Sequence, residues 1–130
     1  MHITPEIIAE LISQARKDAP NESCGYLMGN NGEVTHHYPM ENTDHSPEHF
    51  SFAPREQFAA LRYARDNGLQ ILANWHSHPA SPSRPSAEDL RLANDPDIRY
   101  AILSLHEGIH LNSFKIVNNK VVDKEIHYEG

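Results

Sequence analysis

The chain has 130 residues, a formal net charge of −7, 38% hydrophobic residues and 22% charged residues. These values predict one folded domain over residues 1–130 and exclude a disordered chain. An acidic chain without a basic stripe is a poor nucleic-acid binder, so we expect no nucleic-acid partner. The apolar runs are too short to cross a bilayer and the first residues lack a signal-peptide pattern, which predicts a cytoplasmic protein with no membrane partner.

Cysteine and histidine narrow the possible chemistry. The single cysteine, Cys24, excludes an internal disulfide and a zinc site made of several thiolates. It lies in an apolar run, so we expect a small buried core residue. The chain has ten histidines. Apart from the pair at 76 and 78 we predict that they lie on the surface, among them His36, His37, His45, His49, His106, His110 and His127.

Hydrophobic spacing and turn residues predict helices and strands that alternate along the chain. The predicted elements are, in order, a helix between Thr4 and Pro20, strands over 24–28 and 34–38 around a turn at 29–32, a polar loop over 39–49, a short strand over 50–52, a helix from Pro54 to Asn67, a strand over 71–75, a short helix from Ser86 to Ala93, and strands over 100–105, 109–117 and 121–128. This order predicts a mixed sheet with helices packed on it, of the α/β or α+β class.

The segment from residue 76 to residue 89 carries the most informative pattern. His76 and His78 leave a predicted strand two residues apart, so their rings point to the same side. Asp89, on the following helix, can supply a third ligand, and two nitrogens with one oxygen leave the fourth tetrahedral position of a catalytic zinc free. Alternatively, the histidine pair is incidental and Ser86 with Asp89 forms only a helix capping box. Spacing alone leaves both interpretations open.

A family resemblance favours the metal site. The His-Ser-His-Pro motif at residues 76–79, followed at fixed distances by Ser86 and Asp89, resembles the complete signature of the JAMM (MPN+) zinc metallopeptidases. Residues 21–29 resemble the first strand of that family, and the resemblance extends over residues 5–117. It implies the JAMM/MPN fold, a cytidine-deaminase-like mixed sheet flanked by helices.

The resemblance also implies a role for each matching residue. His76, His78 and Asp89 would bind one catalytic Zn²⁺, Glu22 would act as the general base, and Ser86 would help to hold the oxyanion. The implied reaction is hydrolysis of a peptide or isopeptide bond by an activated water, without a covalent intermediate. Spacing does not distinguish Glu22 from the other glutamates, so this assignment rests on the family. The alternative for Glu22 is a solvated carboxylate just after a helix.

Family members mostly cleave conjugates of ubiquitin-like β-grasp proteins, and this chain is similar to the small stand-alone prokaryotic members. Residues 105–109 leave little room for a ubiquitin-gripping insertion, so we predict a sulfur-carrier protein with a Gly-Gly tail as the substrate. A strand edge at 50–52 would offer that tail a place to pair. The alternatives are a non-catalytic MPN scaffold, a phage-tail peptidase relative and a RadC-type relative. Ser77 between the histidines is atypical of RadC, and one cysteine cannot supply the thiolate pair of the zinc deaminases.

Overall fold

The computed structural model describes residues 1–130 and contains one seven-stranded sheet with three helices. The strands are β1 (His2–Ile3), β2 (Cys24–Asn30), β3 (Glu33–Met40), β4 (Gln70–His78), β5 (Arg99–Ser104), β6 (His110–Val117) and β7 (Lys120–Glu129), and the helices are α1 (Pro5–Asp18), α2 (Pro54–Asp66) and α3 (Ala87–Leu92). The strand order is β1-β3-β2-β4-β5-β6-β7, and only the β1–β3 and β4–β5 pairs are parallel. The predicted mixed sheet with flanking helices is therefore confirmed. None of the helices is long and apolar enough to cross a membrane.

The two faces of the sheet carry different helices. Alternate residues of β4 point to opposite faces, so Ala73 and Trp75 join the largest apolar cluster, which α1 covers. The α1 helix starts as predicted, because the Thr4 hydroxyl oxygen accepts a hydrogen bond from the Ile7 N–H at 3.3 Å. The other face carries two smaller clusters, one under α2 and one beside α3. His76 and His78 point to this second face.

The strand predicted at residues 50–52 is wrong. This segment belongs to the connection between β3 and α2 and pairs with no strand. Its backbone groups bond within the loop: the Ser51 carbonyl accepts from the Thr43 N–H at 3.0 Å, and the Ser51 N–H donates to Asn42 Oδ1 at 3.4 Å. The Phe50 and Phe52 rings contact each other with centroids 5.5 Å apart, and the Phe52 ring also contacts Tyr26 with centroids 5.2 Å apart.

Strands β2 and β4, which carry the candidate site, extend further than the sequence predicts. β2 continues through Gly29 to Asn30, so only Asn31 and Gly32 form the turn, both with positive φ. β4 continues to His78, because it pairs with β5 up to Ser104. Both imidazoles therefore belong to the sheet itself, which fixes their direction more firmly than a loop would.

The Trp75 side chain packs against the backbone of β2 at Gly25, its partner in the ladder. A Cβ added there would collide with the Tyr38 carbonyl oxygen and would lie 2.8 Å from Trp75 Nε1. Trp75 is fully buried and cannot withdraw without disturbing the core under α1. Packing, rather than backbone conformation, requires glycine at this position.

We predict that Gly25→Ala lowers the free energy of unfolding by about 1–3 kcal/mol, the usual cost of overpacking a core. Urea denaturation followed by circular dichroism measures this loss. Gly32→Ala is the control, because a Cβ there meets nothing within 4 Å and the cost arises only from its φ of +73°. A loss for Gly25→Ala no greater than that for Gly32→Ala would contradict the crowding argument.

Candidate metal centre

His76, His78 and Asp89 meet on the sheet face that carries α2 and α3. The Nε2 atoms of the two histidines are 3.1 Å apart, and Asp89 Oδ2 lies 3.2 Å from the first and 3.1 Å from the second. Both imidazoles are buried, and the Asp89 side chain is 15% exposed. Two imidazole nitrogens and one carboxylate oxygen suit a tetrahedral divalent ion with one open position. The structure brings the three residues together, and their role as zinc ligands stays a prediction.

A pinned loop connects the two parts of this centre. The Ser83 hydroxyl donates to the Ile102 carbonyl at 2.6 Å, and the Ser104 hydroxyl donates to the Ser81 carbonyl at 2.6 Å. The loop is thereby tied to β5 before it enters α3. The Pro82 carbonyl lies 2.8 Å from Nδ1 of His78 and accepts its hydrogen, so Nε2 is the nitrogen whose lone pair the neutral ring would offer to a cation at the centre.

Asp89 also belongs to a helix cap. The Ser86 hydroxyl oxygen accepts from the Asp89 N–H at 3.0 Å, and the Ser86 N–H donates to Asp89 Oδ2 at 2.9 Å. The capping box and the convergence on the histidines are thus both present. Burial opposes ionisation of Asp89, but hydrogen bonds from His76 and His78 outweigh it and hold the pKa of the carboxyl below its usual value. The Ser86 hydroxyl keeps its hydrogen free to donate, and its oxyanion role stays a prediction.

The β2–β4 ladder brings Glu22 to the metal centre. Cys24 pairs with His76, and the Ser77 N–H donates to the Ser23 carbonyl at 3.0 Å, which continues the antiparallel pairing towards Glu22. Glu22 therefore lies across from His78 in register. It is 3% exposed, so the interpretation as a solvated carboxylate is wrong.

The environment of the Glu22 carboxyl fits a cation nearby. Burial raises its pKa to about 8, and the positive charge of His78 only partly offsets this effect. Its Oε1 atom is buried and has no hydrogen-bond partner. A buried carboxyl with an unpaired oxygen, next to two imidazoles and a second carboxylate, matches the donor set of a divalent ion and the base beside it.

A family model described as prokaryotic homologs of the JAB domain matches residues 4–117. The chain belongs to this family. The match confirms the JAMM/MPN resemblance and the fold that it implied, and makes the chain a hydrolase of the JAB/MPN type.

Three similar proteins place this JAB domain among known relatives. It is 30% identical over 129 residues to the CysO-cysteine peptidase of Mycobacterium tuberculosis. The aligned region covers 96% of this chain and 88% of that peptidase. It is 31% identical over 94 residues to the probable TtuB-protein conjugate cleaving protease of Thermus thermophilus, covering 72% of this chain and 63% of that protein. The solution structure of protein DSY2949 from Desulfitobacterium hafniense matches with a TM-score of 0.85 and 44% identity, over 99% of this chain and 93% of that one.

Sequence reasoning missed two residues around the centre of the JAB domain. Phe50 stacks on the His76 ring, with centroids 4.7 Å apart and planes 28° from parallel. Asn42 is buried and holds the loop that carries Phe50, because its Nδ2 donates to the carbonyls of Glu22, Ser46 and His49. Its Oδ1 also accepts from the Asp44 N–H at 3.0 Å. Nothing in the local sequence signals that this polar loop folds back over the metal centre.

The structure confirms the prediction for Cys24 and contradicts that for His37. Cys24 is fully buried, its Sγ lies 3.6 Å from the Met40 carbonyl oxygen, and burial raises the pKa of its thiol to about 12. The His37 side chain is only 5% exposed, with its ring edge on Trp75 and its Nδ1 3.5 Å from Glu10 Oε1. His37 is buried because β3 directs it to the face that α1 covers, which a pair of adjacent histidines does not reveal.

We predict that His37 makes the fold less stable in acid. Burial lowers its pKa in the folded protein, although Glu10 opposes the shift. Its contribution is therefore complete above pH 6.5, the ordinary histidine value, and is lost as the pH falls below it. His37→Gln should flatten the decline of unfolding free energy below that pH, by at most about 1.4 kcal/mol per pH unit.

Urea denaturation of the metal-free protein at several pH values measures this slope. His36→Gln is the matched control, because the His36 ring points away from α1 and is only half-buried. We expect it to keep the wild-type slope. Equal slopes for His37→Gln and the wild type would show that His37 is not the acid-sensitive group.

Proposed function

We propose that this JAB protein is a zinc-dependent peptidase that cleaves the bond after the C-terminal Gly-Gly of a ubiquitin-like sulfur-carrier protein. The observation that carries the proposal is the convergence of His76, His78 and Asp89 within 4.8 Å, next to the buried carboxyl of Glu22. Two histidines, one aspartate and a neighbouring glutamate form the donor set of a hydrolytic metal site. A cytoplasmic location and a single domain over residues 1–130 stay predictions.

Zinc is the ion that we propose, because two nitrogen donors and one oxygen donor at tetrahedral spacing suit it. When bound, zinc would lower the pKa of a water and polarise the scissile carbonyl. Glu22 would accept the proton and later deliver it to the leaving amine. Burial raises the pKa of Glu22 to about 8 in the metal-free protein, and a bound cation would lower it and so favour the carboxylate form that accepts a proton.

Two further residues complete the proposed site. The Ser86 hydroxyl would donate a hydrogen bond to the carbonyl oxygen as negative charge develops there. Phe50 covers one face of the His76 ring and would exclude water from that side. The Cys24 thiol is buried and largely protonated at neutral pH, so it would form no covalent intermediate.

The substrate class follows from the names of the relatives and from the shape of the chain. A CysO-cysteine peptidase and a TtuB-protein conjugate cleaving protease are both named for a protein joined to a second group. The connection between β5 and β6 spans only residues 105–109, which leaves little room for a gripping insertion. Two glycines at the end of the tail would let its backbone approach the metal closely. The pairing site proposed at residues 50–52 is withdrawn, since no strand exists there.

We predict that the purified protein retains about one zinc per chain and that Asp89→Ala loses it. Metal analysis after equilibration with zinc and gel filtration measures the content. Ser86→Ala is the matched control, because both changes break the capping box of α3 but only Asp89 supplies a ligand. Full zinc content in Asp89→Ala would contradict the proposed centre.

We predict that the zinc-loaded protein cleaves a carrier protein extended beyond its Gly-Gly, and that Glu22→Gln lowers kcat/KM by about 10²–10⁴-fold. Intact mass spectrometry identifies the cleaved bond, and a chelator should abolish cleavage until zinc is restored. Glu107→Gln is the control, since this glutamate is exposed in the turn before β6.

A non-catalytic scaffold would bind its partners equally well with either residue at position 22 and would cleave nothing. Undiminished cleavage by Glu22→Gln, with zinc bound and the fold intact, would refute Glu22 as the base. No cleavage of any carrier by the zinc-loaded wild type would refute the substrate class.

A further inference from the structure

Asn74 lies beside the metal centre with a polar atom that the protein leaves unpaired. It stands on β4 two residues before His76, so its side chain points to the same face of the sheet. Its Oδ1 atom is buried and accepts no hydrogen bond. An unpaired buried amide oxygen costs about 1–3 kcal/mol, so its presence calls for a partner outside the chain.

The neighbouring side chains on the same face do not pair with this oxygen. Tyr26 on β2 and Tyr100 on β5 flank Asn74 in register. The Tyr26 hydroxyl accepts from Gln57 Nε2 at 3.1 Å, and the Tyr100 hydroxyl accepts from the Asp95 N–H at 3.1 Å. Neither hydroxyl donates its own hydrogen to Asn74 Oδ1, which stays without a partner between them.

Asn74 lines a small, largely apolar cleft that continues into the metal centre. The cleft has a volume of about 190 Å³, and both His76 and Asp89 line it. Its apolar walls are formed by Phe50, Phe52, Leu92, Ala93, Ile102 and Ile116. Pockets for drug-sized ligands measure about 300–1,000 Å³, so this cleft suits one side chain with its stretch of backbone.

We propose that Asn74 is a specificity-determining residue, which hydrogen-bonds the main chain of the carrier tail at the residue before Gly-Gly while the cleft takes the apolar side chain of that residue. This inference rests on the proposed function. Residues two apart in a strand are about 6.6–6.8 Å apart. If the tail runs along the cleft from His76 towards Asn74, with its scissile carbonyl at His76, its third residue from the cleaved bond lies at Asn74.

The chemistry of the amide matches that position. A primary amide offers an acceptor and a donor side by side, and an extended residue offers one N–H and one C=O. The two terminal glycines have no side chain, so the residue before them is the first that can fill an apolar cleft. A leucine there should be cleaved faster than an aspartate, because the apolar walls would not solvate a carboxylate and Glu88 and Asp89, which also line the cleft, would repel it.

The test combines a change in the enzyme with a change in one substrate atom. A semisynthetic carrier conjugate carries an ester oxygen in place of the amide N–H of the residue before Gly-Gly, and a second conjugate carries the ester one residue further from the cleaved bond. For the wild type, we expect the first ester to lower kcat/KM by about three- to tenfold, the size of one neutral hydrogen bond. Asn74→Ala removes both the acceptor and the donor, so it should lower kcat/KM for the amide by at least this factor and show no further loss with the first ester.

Controls separate recognition from damage to the fold. Asn94→Ala, an exposed asparagine outside the cleft, should keep the full ester effect. Asn74→Ala should melt at the same temperature as the wild type or higher, because it removes an unpaired buried group. A lower melting temperature would indicate a structural role and would count against the proposal. If Asn74→Ala fails to fold, Asn74→Ser serves in the same comparison.

Two failures can be told apart. In the first, the wild type cleaves the conjugate, but the ester lowers kcat/KM by the same factor in the wild type and in Asn74→Ala. That result refutes the role of Asn74 and leaves the proposed function standing. If the zinc-loaded wild type cleaves no carrier conjugate, the proposed function fails and the inference falls with it. Calorimetric binding of the intact conjugate to zinc-loaded Glu22→Gln gives a second readout, in which adding Asn74→Ala should weaken Kd by about three- to tenfold.

Discussion

The hydrogen-bonded ladder between β2 and β4 is the constraint on which the centre depends. It fixes two things at once: the pleat of β4 turns His76 and His78 to one face, and the continued pairing at Ser23 and Ser77 brings Glu22 across from His78. A slip of one residue in this register would turn both imidazoles towards α1 and Trp75 towards the metal centre. Gly25 restricts the register further. A side chain at this position would collide with the Trp75 indole, and the observed alignment is the one that places a glycine there.

The third ligand depends on a different kind of interaction. Asp89 Oδ2 accepts from the Ser86 N–H and also faces both histidines, so one atom serves the helix start and the metal centre. This explains why a helix of only six residues can position a ligand: its first turn is held by the capping box and its approach by the loop tied to β5. The two interpretations of the Ser86 and Asp89 spacing were therefore never exclusive. The carboxylate that stabilises the helix is already oriented for a cation.

Much of this arrangement was predictable from the sequence, because it depends on local spacing. The pleat orients His76 and His78, Thr4 and Pro5 begin α1, and the Ser86 motif predicts both a cap and a ligand. The parts that failed depend on contacts between distant segments. Phe50 to Phe52 alternates like a strand, but the backbone of this segment bonds to Asn42 and Thr43 instead of a neighbouring strand. Histidine is usually found at the surface, which is why we predicted that position for His37, yet α1 covers its side chain. No local pattern reveals which of two adjacent histidines points inwards.

Buried side-chain atoms without a hydrogen-bond partner are more numerous on the sheet face that carries the metal centre than on the face that α1 covers. Six buried side-chain atoms have no hydrogen-bond partner: Glu22 Oε1, His37 Nε2, Asn74 Oδ1, Trp75 Nε1, His76 Nδ1 and Asn112 Oδ1. The two on the α1 face belong to His37 and Trp75, whose rings contact each other. The other four lie on the face with the metal centre. Unpaired polar groups reduce stability, so a fold selected for stability alone would not gather them on one face. Two of them lie where a proposed ligand would supply the missing partner: Glu22 Oε1 belongs to the carboxyl beside the proposed metal ligands, and Asn74 Oδ1 belongs to a residue that lines the apolar cleft.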